Sequence, residues 1–172
     1  MNITSGIFKG RKIKSPDETI TRPTLSKVRM SVFNTLQGIV EFDGGSFLDM
    51  FSGSGIMSLE ALSRGFNRVV AIEKHPKVAQ IIRQNFEEFD PKPKLIKGDS
   101  LKIIKNLDEK FDVIYIDPPY YSGVYEKSLD VIKNIANVVI LEHVVDVDFK
   151  DYELIKQKKY GDKYISYLKK LI

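Results

Sequence analysis

The chain has 172 residues, contains no cysteine and carries a formal net charge of +4. This length suits one domain with a substantial core. The lack of cysteine excludes disulfides, zinc–thiolate sites and cysteine nucleophiles, and with only two histidines a metal site is not expected. No apolar run approaches the roughly 20 residues that span a bilayer, and the first residues lack the pattern of a signal peptide. We therefore expect a cytoplasmic protein with no membrane partner.

Positive charge is concentrated at the two ends of the chain. Residues 1–30 hold seven Lys and Arg against two acidic residues, and residues 150–172 hold seven Lys against three acidic residues. The stretch between them is acidic on balance. This distribution is typical of a protein whose ends contact nucleic acid, although a solvated lysine-rich surface would give the same counts.

Most of the chain alternates between short apolar runs and amphipathic segments. Residues 1–23 are expected to be irregular or hairpin-like, and the apolar spacing that follows predicts a helix capped by Thr24 and ended before Gly44. The predicted strands that come next are 47–50, 68–73, 94–99, 111–117 and 138–143. The predicted helices between them are 56–64, 76–89, 100–107 and 125–137.

This alternation predicts a doubly wound α/β sheet. The runs at 69–72, 113–116 and 138–141 are continuously apolar, as parallel strands covered on both faces are. Segments 152–160 and 163–171 are predicted to form two more strands joined by a two-residue turn. We therefore predict a single domain over residues 1–172, whose mostly parallel seven-stranded sheet ends in an antiparallel hairpin.

The motif with the most specific chemistry follows the strand at 111–117. Asp117 can accept a hydrogen bond from an amino group, and Pro118 and Pro119 fix φ and lack N–H donors, which leaves their carbonyls free to accept. Tyr120 offers a flat face on which a base can stack. The motif thus predicts a site for an amino group on a planar ring, although a rigid turn after a buried strand is the simpler alternative.

A glycine-rich loop follows the first predicted strand. Asp49 ends this strand, and the loop continues as Phe51-Ser52-Gly53-Ser54-Gly55 into the next helix. A dinucleotide-binding loop would have a third glycine where Ser58 stands, and it would hold a pyrophosphate, which the carboxylate of Asp49 would repel. A carboxylate at this position suits the ammonium group of S-adenosylmethionine instead.

Further acidic residues end the next two predicted strands. Glu73 is placed to accept hydrogen bonds from both hydroxyls of a ribose, and Asp99 from an adenine amino group. Lys74 and Ser100, which follow them, are predicted to line the same site. Because ligands bind at the carboxyl ends of strands in open α/β sheets, these residues favour an adenosyl cofactor without phosphates.

Nearly the whole chain resembles the RsmD-type methyltransferases, which methylate N2 of a guanine in 16S ribosomal RNA. The matching segments are Gly6 to Ile13, Arg22-Pro23-Thr24 with Val28-Arg29, Val32 to Leu36, Leu48 to Gly55, Leu59 to Gly65, Ile72-Glu73 and Asp117 to Tyr120. The glycine loop and the Asp-Pro-Pro-Tyr motif are shared by many amino-methylating enzymes. The basic N-terminal segment is what indicates this particular family.

The resemblance implies a class I S-adenosylmethionine-dependent methyltransferase with a Rossmann-like fold. In that mechanism Asp117 and the carbonyl of Pro118 accept hydrogen bonds from the guanine amino group, Pro119 forms a rigid wall and Tyr120 stacks on the base. No metal is needed. The implied partner is 16S rRNA, met within an assembling small ribosomal subunit, and the protein is expected to be a monomer.

The resemblance also implies that a basic N-terminal extension, about residues 1–23, contacts RNA together with the helix that follows. The residues predicted to contact phosphates are Arg11, Lys12, Lys14, Arg22 and Arg29. For Arg22 and Arg29, pairing with acidic residues at the rim of the core is the alternative.

Other interpretations stay open at the level of sequence. A DNA or RNA adenine-N6 methyltransferase uses the same tetrapeptide, although the DNA enzymes usually carry an inserted recognition segment for which this chain has no room. A protein-amide methyltransferase would not explain the basic termini. The chain could also be a non-catalytic RNA-binding module, or a nicotinamide-dependent reductase, which Ser58 and the terminal hairpin disfavour. Glu142 and His143 end the fifth predicted strand near the site, and no role is assigned to them.

Overall fold

In the computed structural model, which describes residues 1–17 and 24–171, strands and helices alternate as predicted. The helices are α1 (Ser26–Leu36), α2 (Ile56–Ser63), α3 (Pro76–Phe86), α4 (Ser100–Lys105) and α5 (Val124–Ile132). The strands are β1 (Ser46–Asp49), β2 (Arg68–Glu73), β3 (Lys94–Lys97), β4 (Phe111–Ile116), β5 (Ala136–His143), β6 (Tyr152–Tyr160) and β7 (Lys163–Lys170). The predicted cap is wrong: Leu25 occupies the N-cap position of α1 and no side chain caps the helix.

Within the described residues, seven strands form one sheet in the order β3-β2-β1-β4-β5-β7-β6. Strands β1 to β5 are parallel, and β7 lies antiparallel between β5 and β6. The predicted doubly wound sheet with a final antiparallel hairpin is therefore confirmed. The direction of winding reverses between β1 and β4, and in open α/β sheets a ligand-binding crevice lies at the carboxyl ends of the strands beside such a reversal.

The two faces of the sheet are covered by different helices, because successive side chains of a strand point to opposite faces. Phe47 and Val113 pack with α1, α2 and α3 on what we call the front face. Their strand neighbours Leu48 and Ile114 pack with α4 and α5 on the back face. No helix in the described ranges is both long and apolar enough to cross a bilayer.

The described part of the N-terminal segment packs onto the front-face helices. Ile3 and Ile13 are buried in the core, and Asn2 forms an antiparallel bridge with Lys12. Gly6 has a φ of +87°, and a Cβ at this position would lie 2.0 Å from the carbonyl oxygen of Ser63. Only glycine fits this turn. The bridge between Asn2 and Lys12 confirms the hairpin-like form expected for this part of the chain.

Arg29 belongs to the core. It is 3 % exposed, its Nε lies 3.4 Å from Glu60 Oε1, and its Nη2 donates to the carbonyl of Asn2 at 2.9 Å. Glu60 is fully buried and also pairs with Arg64 Nε at 3.3 Å. The structure contradicts the predicted phosphate contact of Arg29, because its guanidinium is enclosed and already partnered. The alternative, a pairing with a buried acidic residue, is what the structure shows.

Replacing Arg29 with Met should lower the free energy of unfolding by roughly 3 kcal/mol, because the buried carboxylate of Glu60 would lose a cationic partner. Denaturant unfolding monitored by circular dichroism measures the change. Arg83→Met is the matched control on the exposed surface of α3, and it should change stability by no more than about 0.5 kcal/mol. Wild-type stability in the Arg29 variant, with weakened RNA binding, would restore the role in RNA contact.

Candidate active site

A cleft of about 1050 Å³ opens at the carboxyl edge of the parallel strands. The ends of β1 to β5 line it, together with the start of α1 and the turn between β6 and β7. The residues that line it include Leu25, Lys27, Phe51, Gly53, Glu73, Lys74, Pro76, Asp99, Ser100, Asp117, Pro118, Pro119, Tyr121, Glu142, Tyr160 and Lys163. The position of the cleft is the one expected for a ligand site in this fold.

Three of the predicted acidic residues, Asp49, Glu73 and Asp117, share the front face, because each lies two residues beyond a core residue of that face. Asp49 follows Phe47 in this way, and Asp117 follows Tyr115. Asp49 is also in register with Tyr115 on the neighbouring strand. The alternation of strand side chains, together with in-register parallel pairing, thus brings these three residues to one edge and one face.

Asp49 lies beneath the glycine loop and is 1 % exposed. Its Oδ2 accepts a hydrogen bond from the Ser58 hydroxyl at 2.8 Å, whereas Oδ1 is buried without a hydrogen-bond partner in the described part of the chain. Burial raises the pKa of Asp49 to about 7; the Ser58 hydrogen bond opposes this rise, and the charges of Glu73 and Asp117 add to it. A positive charge near this carboxyl would favour its ionised form.

Two further acidic residues are fixed in place by backbone amides. Glu73 accepts hydrogen bonds from the N–H groups of Gly53 at 2.9 Å and His75 at 3.0 Å. Asp99 accepts one from the N–H of Leu101 at 3.0 Å and so caps α4. An ionised carboxylate has about four acceptor positions, so both side chains keep acceptor capacity for a ligand in the cleft.

The predicted cofactor residues divide into those that line the cleft and those behind its surface. Phe51, Gly53, Glu73, Lys74, Asp99 and Ser100 line it. Asp49, Ser52 and Ser54 are buried. Gly55 has a φ of +82°, and a Cβ there would lie 3.2 Å from the ring of Phe86, so glycine allows the loop to pack closely against α3.

Lys163, the first residue of β7, lies between two carboxylates. Its Nζ is 3.4 Å from Asp117 Oδ1 and 3.2 Å from Glu142 Oε1. Burial raises the pKa of both Asp117 and Glu142, and the Lys163 ammonium opposes the rise in each. For Lys163 itself, burial lowers the pKa, but the two carboxylates outweigh this effect and raise it. The ammonium therefore stays charged and favours the ionised form of both acids.

The presence of Lys163 in the cleft could not be predicted from the sequence, because it depends on the antiparallel pairing of β5 with β7. Glu142 is in register with Ile165, which puts Lys163 two residues away on the same face of β7. The only local signal is a lysine next to a two-residue turn. Tyr160 and the first turn of α1 are brought to the cleft in the same long-range way.

Of the Asp-Pro-Pro-Tyr motif, the first three residues line the cleft and Tyr120 does not. Tyr120 is 59 % exposed, and its ring packs against Tyr125 with a centroid distance of 5.9 Å. Tyr121 lines the cleft instead. Base stacking on Tyr120 stays a prediction, and Tyr121 is a second aromatic surface beside the entrance.

Arg11 lies far from the cleft. Its guanidinium stacks on the ring of Phe89 at 4.7 Å, beyond the C-terminal end of α3, whereas Pro76 at the other end of α3 lines the cleft. At 1.5 Å per residue, the length of α3 separates the two ends by about 15 Å. Arg11 can thus contact only RNA that extends well beyond the reacting nucleotide.

The other predicted basic contacts are also placed away from the cleft or outside the described residues. Lys12 and Lys14 are exposed, and Lys14 Nζ donates to Gln84 Oε1 of α3 at 3.2 Å. Arg22 lies outside the described residues. The cationic side chains that line the cleft itself include Lys27 and Lys74, of which only Lys74 was expected at the site.

Comparison with known proteins assigns the chain to a family. The family described as conserved hypothetical protein 95 matches residues 1–169. Ribosomal RNA small subunit methyltransferase D (RsmD) of Buchnera aphidicola is 33% identical over 136 residues, which cover 77% of this chain and 69% of the relative. The chain belongs to the RsmD family. YlbH of Bacillus subtilis, provisionally named an rRNA methyltransferase, is 30% identical over 94% of both proteins.

A solved structure supports the fold of this RsmD-family chain. The structure of yhhF from Escherichia coli, provisionally described as a methyltransferase, superposes with a TM-score of 0.88 at 23% identity. The match covers 100% of this chain and 99% of the other. The fold is thus shared with a solved structure over the whole length of the chain.

Replacing Lys163 with Met should lower stability by about 2 kcal/mol at pH 8, because Asp117 and Glu142 lose their common charged partner. Without Lys163, the pKa values of Asp117 and Glu142 in the folded variant rise further above their values in the unfolded chain. The variant therefore loses stability as pH rises through this range and regains it as pH falls. In denaturant unfolding between pH 5 and 8, the difference in free energy of unfolding between the variant and wild type should therefore become smaller toward pH 5. Lys163→Arg keeps the charge, so its free energy of unfolding should differ little from that of wild type. A difference for the Met variant that does not change with pH would contradict the electrostatic role of Lys163.

Proposed function

We propose that this protein methylates the exocyclic N2 of a guanine in 16S rRNA of the small ribosomal subunit, with S-adenosylmethionine as the methyl donor. The observation that carries this is the position of Asp117 and Pro118 in a cleft whose other end is lined by Glu73 and Asp99. Membership of the RsmD family, in which relatives are named rRNA small subunit methyltransferases, supports the RNA substrate.

The donor set of the cleft fits S-adenosylmethionine better than a dinucleotide. Within the described residues, one carboxylate oxygen of Asp49 is buried without a hydrogen-bond partner. A cofactor with an ammonium and a sulfonium would supply positive charge near it, whereas a pyrophosphate would be repelled. Glu73 would hold the ribose hydroxyls and Asp99 the adenine amino group, with Lys74 and Ser100 beside them. This cofactor brings an activated methyl group to the cleft.

The reaction needs a nitrogen made more nucleophilic than it is in free guanine, where the lone pair is delocalised into the ring. Asp117 and the Pro118 carbonyl accept hydrogen bonds from the amino group, and these bonds strengthen as positive charge grows on nitrogen, so they stabilise the transition state more than the ground state. The bond from nitrogen to the methyl group would form as the bond from the methyl group to sulfur breaks, and the nitrogen would then lose one proton to Asp117 or to water. Lys163 favours the ionised Asp117 that this role requires. Pro119 keeps the acceptors rigid, which holds the amino group in position.

RNA recognition is proposed to begin at the rim of the cleft. The target base must leave its stack to reach Asp117, which costs least in a loop or a single strand. Lys27 would hold the phosphates beside that base, and the exposed Arg11, Lys12 and Lys14 would meet more distant phosphates. A target within an assembling subunit would supply such an extended surface. The monomeric state and the cytoplasmic location also stay predictions.

Glu73→Ala should weaken binding of S-adenosylmethionine tenfold or more, because charge-assisted hydrogen bonds to the ribose are worth about 1.5–3 kcal/mol. Isothermal titration calorimetry measures this affinity directly, without any RNA. Glu87→Ala is the matched control at the far end of α3, where Glu87 pairs with Lys92 on the surface, and it should bind as wild type does. Equal affinity in both variants, or tighter binding of NAD than of S-adenosylmethionine by wild type, would reject the proposed cofactor site.

Incubation with labelled S-adenosylmethionine and separate samples of small-subunit rRNA, assembled small subunits, tRNA and duplex DNA tests the reaction. Wild type should label small-subunit rRNA, naked or assembled, and digestion should yield N2-methylguanosine. Asp117→Ala should slow labelling about 100- to 1000-fold while binding S-adenosylmethionine with near wild-type affinity. Asp130→Ala, on the exposed surface of α5, is the control and should label normally.

Three outcomes would contradict the proposal. N6-methyladenine as the product would assign the chain to the adenine enzymes. Equal labelling by the Asp117 variant would remove this residue from the mechanism. RNA binding without any label from wild type would favour the non-catalytic RNA-binding module.

A further inference from the structure

Glu142 lines the cleft beside Asp117, but the chemistry on the amino group does not use it. The residue is 1 % exposed, and its Oε1 forms an ion pair with Lys163 Nζ at 3.2 Å. Its Oε2 has no hydrogen-bond partner among residues 1–17 and 24–171. Buried polar atoms are nearly always hydrogen-bonded, so an acceptor left free at the surface of a binding cleft indicates a ligand that donates to it.

The position of Glu142 relative to Asp117 follows from the strand register. Ile116 of β4 is in register with Leu141 of β5, so the residues that follow them, Asp117 and Glu142, lie side by side on adjacent parallel strands about 4.8 Å apart. Both side chains are on the front face, and Lys163 Nζ contacts both. The floor of the cleft thus presents two neighbouring carboxylate acceptors.

Two neighbouring acceptors match the hydrogen-bond donors on the Watson–Crick edge of guanine and do not match the donor and acceptor on that of adenine. On the Watson–Crick edge of guanine, the N2 amino group and the ring N1–H are adjacent donors. On that of adenine, the N6 amino group lies next to the unprotonated N1, which is an acceptor. We propose that Glu142 accepts the N1–H of the guanine whose amino group Asp117 holds, and that this contact selects guanine over adenine. The inference rests on the proposed function and names the determinant of its base specificity.

Selectivity follows from the absence of a proton on the ionised Glu142. If adenine entered with its amino group on Asp117, the N1 lone pair would face this carboxylate, and two acceptors would be buried against each other. Sites that leave buried polar groups unpaired in this way reject the wrong ligand strongly. Lys163 supports this role, because its ammonium opposes the rise in the pKa of Glu142 that burial causes and so favours the form that only accepts.

The test uses a base that keeps the amino group at C2 and changes only the ring nitrogen. In 2,6-diaminopurine the N2 amino group is present, but N1 is an acceptor. After the methylated nucleotide has been located in small-subunit rRNA, that RNA is rebuilt by ligation with guanine or 2,6-diaminopurine at this position, naked or reconstituted with ribosomal proteins. The rate of N2 methylation is then compared between the two substrates.

Wild type should methylate guanine at least about 100-fold faster than 2,6-diaminopurine. In Glu142→Gln the amide can either accept from N1–H or donate to an unprotonated N1. The ratio of the guanine rate to the 2,6-diaminopurine rate should therefore fall at least tenfold. Glu153→Gln, on the exposed surface of β6, is the matched control and should keep the wild-type ratio. Affinity for S-adenosylmethionine and the midpoint of unfolding show whether each variant is folded.

A wild-type ratio near one would overturn the inference even if the Gln variant does not fold. An unchanged ratio in a folded Glu142→Gln variant would overturn it as well. Failure of the proposed function is a different result, because wild type would then form no N2-methylguanosine in the guanine RNA. The two failures are therefore distinguishable in one set of reactions.

Discussion

Carboxylates crowd one edge and one face of the sheet, and the site depends on how this negative charge is compensated. In-register parallel strands place Asp49, Glu73, Asp117 and Glu142 each two residues beyond a core residue of the front face. Burial raises the pKa of Asp49, Asp117 and Glu142. Backbone N–H groups stabilise Glu73 on one side of the cleft, and the Lys163 ammonium stabilises the pair on the other. The two halves of the cleft therefore differ in what compensates their charge.

The fold could be predicted from the sequence because its signals are local. Continuous apolar runs such as 113–116 mark strands covered on both faces, and the two-residue turn after Tyr160 marks the hairpin. Acidic residues at strand ends, such as Glu73 and Asp117, could be assigned to the cleft because parallel strands share one carboxyl edge. Each of these inferences needs only the residues within one strand–turn unit.

The parts that could not be predicted depend on partners far away in the chain. Arg29 resembles a surface cation in sequence, but its buried partner Glu60 is 31 residues away and on another helix. Lys163 is 46 residues from Asp117, and only the reversed pairing of β7 with β5 brings the two together. Neither the hydrophobic periodicity of the sequence nor a sequence motif predicts such a contact. The positive charge at the two chain ends suggested that the segments containing Arg29 and Lys163 contact RNA. In the structure, each of these side chains instead pairs with a carboxylate of the protein itself.

The hairpin of β6 and β7 has a consequence for the order in which the site can assemble. Tyr160 is hydrogen-bonded to Ser31 of α1 across 129 positions of sequence, and Lys158 Nζ donates to Thr35 Oγ1 across 123. Contacts of such separation carry a high loop-closure cost and form late in folding. The part of the cleft built by β1 to β3, which is proposed to hold the nucleoside of the cofactor, needs no such closure. A nascent chain can therefore complete this part of the cleft before the part that contains Asp117, Glu142 and Lys163, and the proposed methyl transfer must wait for the C-terminal hairpin to dock.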